Sequence, residues 1–369
     1  MITIRDIAGR LDLSVSTVGR ALADHPRISR PTKQRVRAMA DELGYIANTA
    51  ARVMRGGSSR LIGLLVPDIR STFYAMTAHV LSKCFARDGY HLALAITDDD
   101  PAAECQKVRE LLSARVAGIV IVPSAAPHRE TVTLVGMVPH VQLLRRTPAL
   151  GDWFGMDDER AMQEATQHLI ELGHRRIGYV GDAIFTTGKA RYRGFCRALA
   201  AAGLSPEGVE LGAPCQGFGA AAVVRLLAQR PAPTAVVTSS VLVTLGVADR
   251  LAALGIKVPG RLSVLGFGDG PWQRWWGPGL TTLRLPTEEL ATSCGLWLLH
   301  RLHDRAQAGP QRHRRGGRQQ GSPHAAITSP SLVVRGSTAP PARCPGGRQR
   351  ASSRASPSRA SPSRAPRRR

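Results

Sequence analysis

From Leu61 to Leu283 the chain alternates short apolar runs with longer stretches of helical periodicity. The runs are LIGLLVP, HLALAI, GIVIVP, HVQLL, RIGYVG, AVVTS and LSVLGF. Between many of them lie stretches such as FYAMTAHVLSKCFARDG and DERAMQEATQHLIELG. A strand that is apolar throughout must be covered on both faces, and helices threaded between such strands supply that cover. The pattern predicts doubly wound parallel sheets. It falls into two groups, about 61–150 and 156–283, which predicts two α/β lobes with a cleft between them. At 369 residues the chain can bury more than one core of this size.

The first 45 residues have an all-α rhythm. Thr3 can cap a helix to Leu11, with Asp6 three residues on and Ile4, Ile7, Ala8 and Leu11 on one face. Asp12-Leu13 makes a short turn. Ser14 then caps a second helix to about Ala23, with Val18, Ala21 and Leu22 inward. Asp24-His25-Pro26 breaks it. A third helix starts near Ser29 or Thr32, carries Val36, Met39, Ala40 and Leu43, and ends at Gly44. Three short helices with a tight turn between the first two make a helix-turn-helix unit. Residues 46–57 (IANTAARVMRGG) form a short helical stretch that is too short to stand alone in water, which predicts ordering on binding.

The formal net charge of +23 points to a polyanion partner, but it is unevenly spread. Residues 1–60 carry a net +6, and the segments 305–318 and 342–369 hold fourteen arginines and no acid. The large middle of the chain is nearly neutral. From Pro340 onward Arg, Ser, Pro and Ala dominate, with SRASP at 353–357 and again at 358–362, a composition that cannot pack a core. The six cysteines form no CxxC pair, which argues against a zinc site or disulfide framework. With no leader-like apolar segment and no span-length apolar run, the expectation is a cytoplasmic, nucleoid-associated protein without a membrane partner.

Several stretches resemble the LacI/GalR family of bacterial transcriptional regulators. They are TIRDIA (3–8), LSVSTV (13–18), RAL (20–22) and VRAMADELGY (36–45), followed by Asn48. Further along are IGLLVPD (62–68), DDDP (98–101), GIVIV (118–122), LGHRRI (172–177), RYRGF (191–195), LTTL (280–283) and LVVRGS (332–337). The resemblance implies a helix-turn-helix DNA-binding domain over 1–45 and a hinge over 46–60. It implies a two-lobed periplasmic-binding-protein-like core over 61–338, and leaves a disordered tail over 339–369. It implies a homodimeric repressor of double-stranded operator DNA, controlled by a small-molecule effector, with no cofactor or metal.

In such a unit the second helix enters the major groove by its N-terminal end, so its first-turn side chains must be short and able to hydrogen-bond or touch a thymine methyl. Val15, Ser16 and Thr17 fit, and Arg20 can reach a guanine or a phosphate. The resemblance gives Val15 and Ser16 the main specificity positions, and adds Thr3. In the hinge it implies Asn48, Ala51 and a minor-groove wedge at Met54. Gly19 and Asp12 depart from the family pattern, and Ala47 replaces a usual proline. Gly inside a helix costs about 1 kcal/mol against Ala.

For the cleft, Phe73, Tyr74 and Arg191 match effector positions, and Phe218 and Trp272 are stacking candidates. Ser240-Val241 stands where relatives have Asn-Asp, and Gly268 replaces an acid in GFGD, with Asp269 retained. Loss of these carboxylates beside a retained Arg191 argues for a carboxylate- or phosphate-bearing effector over an ordinary sugar. A sugar-like ligand and a degenerate pocket are the rivals. Asp98–Asp100 is expected as a solvated turn rather than a metal site, and His174 as structural rather than a base. No nucleotide loop or nucleophile motif appears, so the chain is not expected to be an enzyme. A transporter's solute-binding protein shares the two-lobed pattern, but not residues 1–45. Without leucine heptads no coiled-coil tetramer is expected. The Arg-rich tail has two readings: an addition to salt-sensitive DNA affinity, or a read-through or frameshift product with no role.

Overall fold

The computed structural model describes residues 2–45, 59–307 and 323–342. The N-terminal module is α1 (Ile4–Leu11), α2 (Val15–Leu22) and α3 (Arg30–Glu42). The Thr3 backbone N–H and hydroxyl both donate to Asp6 Oδ2 at 2.8 Å, which starts α1. Asp12 takes φ 54° and ψ 46°, the left-handed conformation the turn requires and that a short polar side chain tolerates. Ser14 Oγ accepts the Thr17 N–H at 3.1 Å and caps α2. Ile7, Ala8, Val18, Ala21, Val36 and Ala40 close a core belonging to this module alone.

The first lobe opens with β1 (Leu61–Val66), α4 (Thr72–Ala86), β2 (His91–Ile96), α5 (Pro101–Ser113), β3 (Gly118–Ile121), α6 (Arg129–Val135), β4 (His140–Leu143) and β5 (Trp153–Met156). The second runs through α7 (Asp158–Glu171), β6 (Ile177–Gly181), α8 (Thr186–Ala201), β7 (Gly208–Leu211), α9 (Gln216–Ala228) and β8 (Ala235–Thr238). It continues with α10 (Val241–Ala253), β9 (Ser263–Phe267), α11 (Pro271–Trp275) and β10 (Thr281–Arg284). Then α12 (Thr287–Gln307) and β11 (Ala325–Thr328) return to the first lobe, and β12 (Ser331–Val333) joins the second. The sheet orders are β11-β5-β4-β3-β1-β2 and β12-β10-β9-β8-β6-β7. Every pairing is parallel except that of β12 with β10.

The chain thus crosses between lobes three times, and the first lobe is not contiguous in sequence. Leu290, Ala291, Cys294 and Leu298 of α12 pack with Ile62 and Leu64 of β1 in one core. The stretch ITSPSLVVRGS holds two short strands on opposite sheets. Pro330 lies between them, has no N–H for a ladder, and marks the change of sheet. Both sheets aim their C-terminal strand ends at the cleft: Pro67, Asp98 and Leu144 reach it from the first lobe, Asp182, Ser240 and Phe267 from the second. The N-terminal strand ends face outward.

His174 proves structural, as expected. It is 1% exposed, receives or shares hydrogen bonds with Thr234 Oγ1 at 2.8 Å and Ser263 Oγ at 3.2 Å, and reaches the Ala339 carbonyl at 2.9 Å. It clasps the chain just after β12 to the outer end of the second lobe. Burial holds the imidazole below its ordinary pKa, and burial does the same to His168, which bonds Thr338.

Helix pairs α7–α8 and α9–α10 approach closely through glycines. A Cβ on Gly194 would run into the Glu159 carbonyl, and one on Gly246 into the Gln216 carbonyl. At Gly19 in α2 a Cβ would meet nothing within 4 Å. Two opposite outcomes follow. Gly194→Ala should destabilise the core by about 1–3 kcal/mol, because backbone overlap outweighs the gain in helix propensity. Gly19→Ala should stabilise the N-terminal module by about 1 kcal/mol. Calorimetric unfolding of each variant reads both. For the histidines, the unfolded chain takes up protons first, so stability is full above about pH 6.5 and declines as pH falls below it. Urea midpoints across that range should drop more for the wild type than for His174→Gln.

Candidate DNA-reading and effector sites

Along α2, Val18 and Ala21 are buried, so the helix turns its other side to solvent. Val15 is 47% exposed, and Ser16 and Arg20 are exposed beside it. These three side chains stand at the start and on one edge of the helix, with the exposed Ser16 hydroxyl 2.9 Å from Ser14 Oγ. Thr17 is half-buried. Its hydroxyl lies 2.8 Å from Ser14 Oγ, within the cap. Thr3 is exposed but its hydroxyl is used by Asp6. Lys33 and Arg37 both reach Asp24, whose φ is 57°, and fix the turn between α2 and α3. The hinge candidates Asn48, Ala51 and Met54 lie outside the described residues.

The cleft holds a cavity of about 580 Å³. Phe73, Tyr74 and Arg191 all line it, as their motifs implied. Phe73 and Tyr74 meet edge to face, with centroids 5.3 Å apart. Burial pushes the Tyr74 phenol above its ordinary pKa, so it remains an O–H donor at neutral pH. Phe218 and Trp272 do not line the cavity. Both pack against the core between α9, α10 and β9, and the Phe218 ring lies over Gly212. At both sites an aromatic placed by position alone is core.

Arg191 is 6% exposed and already engaged. Its Nε donates to Asp158 Oδ1 at 2.7 Å, its Nη1 donates to the Ser239 carbonyl at 2.7 Å, and its guanidinium sits over Phe267. Two further lining guanidiniums are also paired. Arg145 forms a two-pronged ion pair with Asp99, and Arg70 Nη2 lies 2.8 Å from Asp68 Oδ2. Asp98 and Asp182 line the cavity as well, so lining carboxylates outnumber lining guanidiniums. The expectation of an anionic effector rests on a retained Arg191 beside acids absent at 241 and 268, but other acids line the folded cavity. The turn at 98–100 has Asp98 and Asp100 exposed, and Asp100 caps α5, but Asp99 turns inward to the buried Arg145.

Arg145 has no signal in the sequence. It stands on the first lobe, yet its guanidinium stacks 3.4 Å from the centroid of Phe185 on the second. Nearby, the Arg146 N–H donates to Thr186 Oγ1 at 3.4 Å. This stack bridges the two lobes across the cleft. Asp269, the retained acid, points elsewhere. Its carboxylate accepts from Arg335 Nη2 at 2.7 Å and Arg284 Nε at 2.8 Å. Burial pushes this carboxyl up, but the two guanidiniums outweigh it and hold it below its ordinary value. Gly268 takes φ +88°, and a Cβ there would lie 2.9 Å from Val241 Cγ2, so the two family departures touch. Among the described residues no His, Cys, Asp and Glu cluster could hold a metal, and no helix is long and apolar enough to cross a membrane.

The family of bacterial regulatory proteins, lacI family, matches residues 3–48, and the periplasmic binding protein-like domain matches 166–338. The chain is 31% identical to the transcriptional regulator MalR of Streptomyces coelicolor, over 91% of this chain and 96% of that one. It is 29% identical to DegA of Bacillus subtilis, over 92% and 98%. Among solved structures, the Lac repressor dimer bound to operator and the anti-inducer ONPF superposes with TM-score 0.77 at 21% identity, over 92% of this chain and 99% of that one. A LacI family regulator from Mycobacterium smegmatis gives 0.65 at 29% identity, over 76% and 99%. With its helix-turn-helix module joined to two doubly wound lobes around an effector cleft, this chain belongs to the LacI family of transcriptional regulators, which are not enzymes.

Proposed function

We propose that the chain is a homodimeric repressor that reads a palindromic operator through its N-terminal module, 1–45, and responds to a ligand in the interlobe cleft of a core spanning 61–338. The observation that carries the DNA assignment is the exposed group Val15, Ser16 and Arg20 at the start of α2, on a helix whose other face is locked in the module's core. Short hydroxyl and methyl groups can approach base edges, and an arginine one turn on reaches a guanine or a phosphate. Thr17 contributes through the cap and Thr3 by starting α1. Asn48, Ala51 and Met54 are the proposed hinge contacts within 46–60.

Dimerisation is supported by an apolar patch on the first lobe. Leu92 packs into the lobe's core. Leu94 and Ile96, two and four residues on, share its face of β2 and are 44% and 38% exposed. Met76 on the adjacent α4 is 43% exposed. Apolar side chains grouped in this way are what a subunit contact would cover.

For the effector, every guanidinium lining the cavity is neutralised by a carboxylate, while Phe73, Tyr74, Phe185 and Phe267 supply apolar walls. Such a site favours an uncharged, hydroxylated ligand with an apolar face over a carboxylate or phosphate. A ligand held between Tyr74 on one lobe and Phe185 on the other binds the closed arrangement better than the open one. It therefore shifts the population of lobe orientations, and with it the operator affinity.

Two outcomes test this. A duplex selected by the full chain from a random library should bind Ser16→Ala and Arg20→Ala about tenfold or more weakly, each contact contributing about 1–3 kcal/mol. Equal gel-shift affinity for selected and scrambled duplexes would reject the assignment. In calorimetric titration of the full chain, a panel of glycosides should yield a binder and a panel of organic acids none. Tyr74→Phe should weaken that binder several-fold, by about 0.5–1.5 kcal/mol for the missing hydrogen bond.

A further inference from the structure

We infer that Asp182 is the acceptor that selects the cleft ligand, taking a hydrogen bond from one hydroxyl of a neutral molecule; this rests on the reading of the cleft as a site for an uncharged, hydroxylated ligand. Asp182 follows β6 directly and lines the cavity from the second lobe. It is 2% exposed. Its Oδ1 accepts the N–H groups of Ile184 and Phe185 at 3.2 and 3.1 Å, which closes the turn into α8. Among the described residues no donor reaches Oδ2, and no cation forms an ion pair with the carboxylate. A buried carboxylate oxygen without a donor is costly, and a ligand hydroxyl would remove that cost. The other acids on the cavity wall differ. Asp68 and Asp99 are held by Arg70 and Arg145, and Asp98 is exposed to solvent.

The surroundings make room for this carboxylate. A Cβ on Gly188, in the first turn of α8, would overlap both of its oxygens, so the helix leaves that space to Asp182. Tyr74 lines the same cavity from the first lobe. Burial pushes its phenol above the ordinary pKa and the Asp182 charge adds to the shift, so the two groups act on one another across the cleft. A ligand that accepts from Tyr74 and donates to Asp182 touches both lobes. The Oδ1 bond to the Phe185 N–H also ties Asp182 to the ring that stacks on Arg145, so the ligand meets a residue that anchors the interlobe contact. The donor is a hydroxyl rather than an ammonium. The Arg145 and Arg191 charges act on the same phenol, and an ammonium would meet like charge there, whereas a hydroxyl donates without adding any.

The test takes the glycoside found by titration of the full chain, together with its deoxy analogues, each lacking a single hydroxyl. In the wild type one deoxy analogue should bind about tenfold or more weakly than the parent, the loss of a hydrogen bond to a charged group. Asp182→Asn keeps an oxygen for the turn and puts an amide donor in place of Oδ2. It should bind the parent about tenfold or more weakly, and that deoxy analogue as well as it binds the parent. A merely structural role would weaken every ligand alike and leave the deoxy loss in place. Unfolding curves check the fold, and Asp182→Ser, which also keeps one acceptor for the turn, is the second variant. The deoxy series on the wild type needs no variant, and binding of every analogue within about twofold of the parent would overturn the inference. So would an Asp182→Asn protein that binds the parent as the wild type does, or one that keeps the full deoxy loss. Tighter wild-type binding of an amino analogue at the critical position would overturn it as well. If no glycoside binds the wild type, the reading of the cleft fails and this inference fails with it. If one binds and Asp182→Asn leaves it unchanged, that reading stands and this inference alone falls.

Discussion

The polarity of two parallel sheets governs the rest of this molecule. Apart from β12, every strand runs the same way as its neighbours, so the loops following the strands collect at one end of each lobe and those preceding them at the other. Placed with their loop-rich ends facing, the lobes create a cleft lined by Pro67, Leu144, Asp182 and Ser240. The helices that open there, such as α8 and α10, present N-terminal N–H groups toward it. The opposite ends are left for other tasks: Ser59 and the connector on one, the His174 clasp on the other. Binding chemistry, tethering and the C-terminal anchor are separated by the direction of the strands.

The three interlobe crossings make the two lobes adjustable without being independent. Leu285 packs into the cores of both lobes. The Arg145–Phe185 stack adds a contact that exists only while the lobes face one another. Arg145 is simultaneously held by Asp99, so breaking the stack leaves its charge satisfied on the first lobe. Lobe movement therefore exposes an aromatic face rather than an unpaired buried cation, a far smaller cost.

Much of this is legible in the sequence, and for identifiable reasons. Buried parallel strands announce themselves as unbroken apolar runs, as in LIGLLV and AVVT. The caps Thr3, Ser14 and Ser29 announce the helices of the N-terminal module because their role is local. Strands β5, β7 and β10 give no such signal, because WFGM, GVEL and TTLR mix glycine, a charge or threonine into short segments. The cleft is legible only where a motif carries it, at Phe73, Tyr74 and Arg191. Arg145, Asp99 and Phe185 meet through folding across long separations, and no local pattern encodes such a meeting. Asp158 shows the same limit. It follows the first crossing, and only the folded chain brings it against Arg191 to cancel a charge that looks free in the sequence.

The closeness of Val241 to Gly268 limits what position 268 can hold. One branch of Val241 lies 2.9 Å from where a Cβ at 268 would stand, and the backbone there has φ +88°, which L side chains rarely adopt. Rebuilding a carboxylate at 268 therefore takes two accommodations at once, a shifted valine and a strained backbone, and the apolar character of that wall is held by the fold as much as by the two residues.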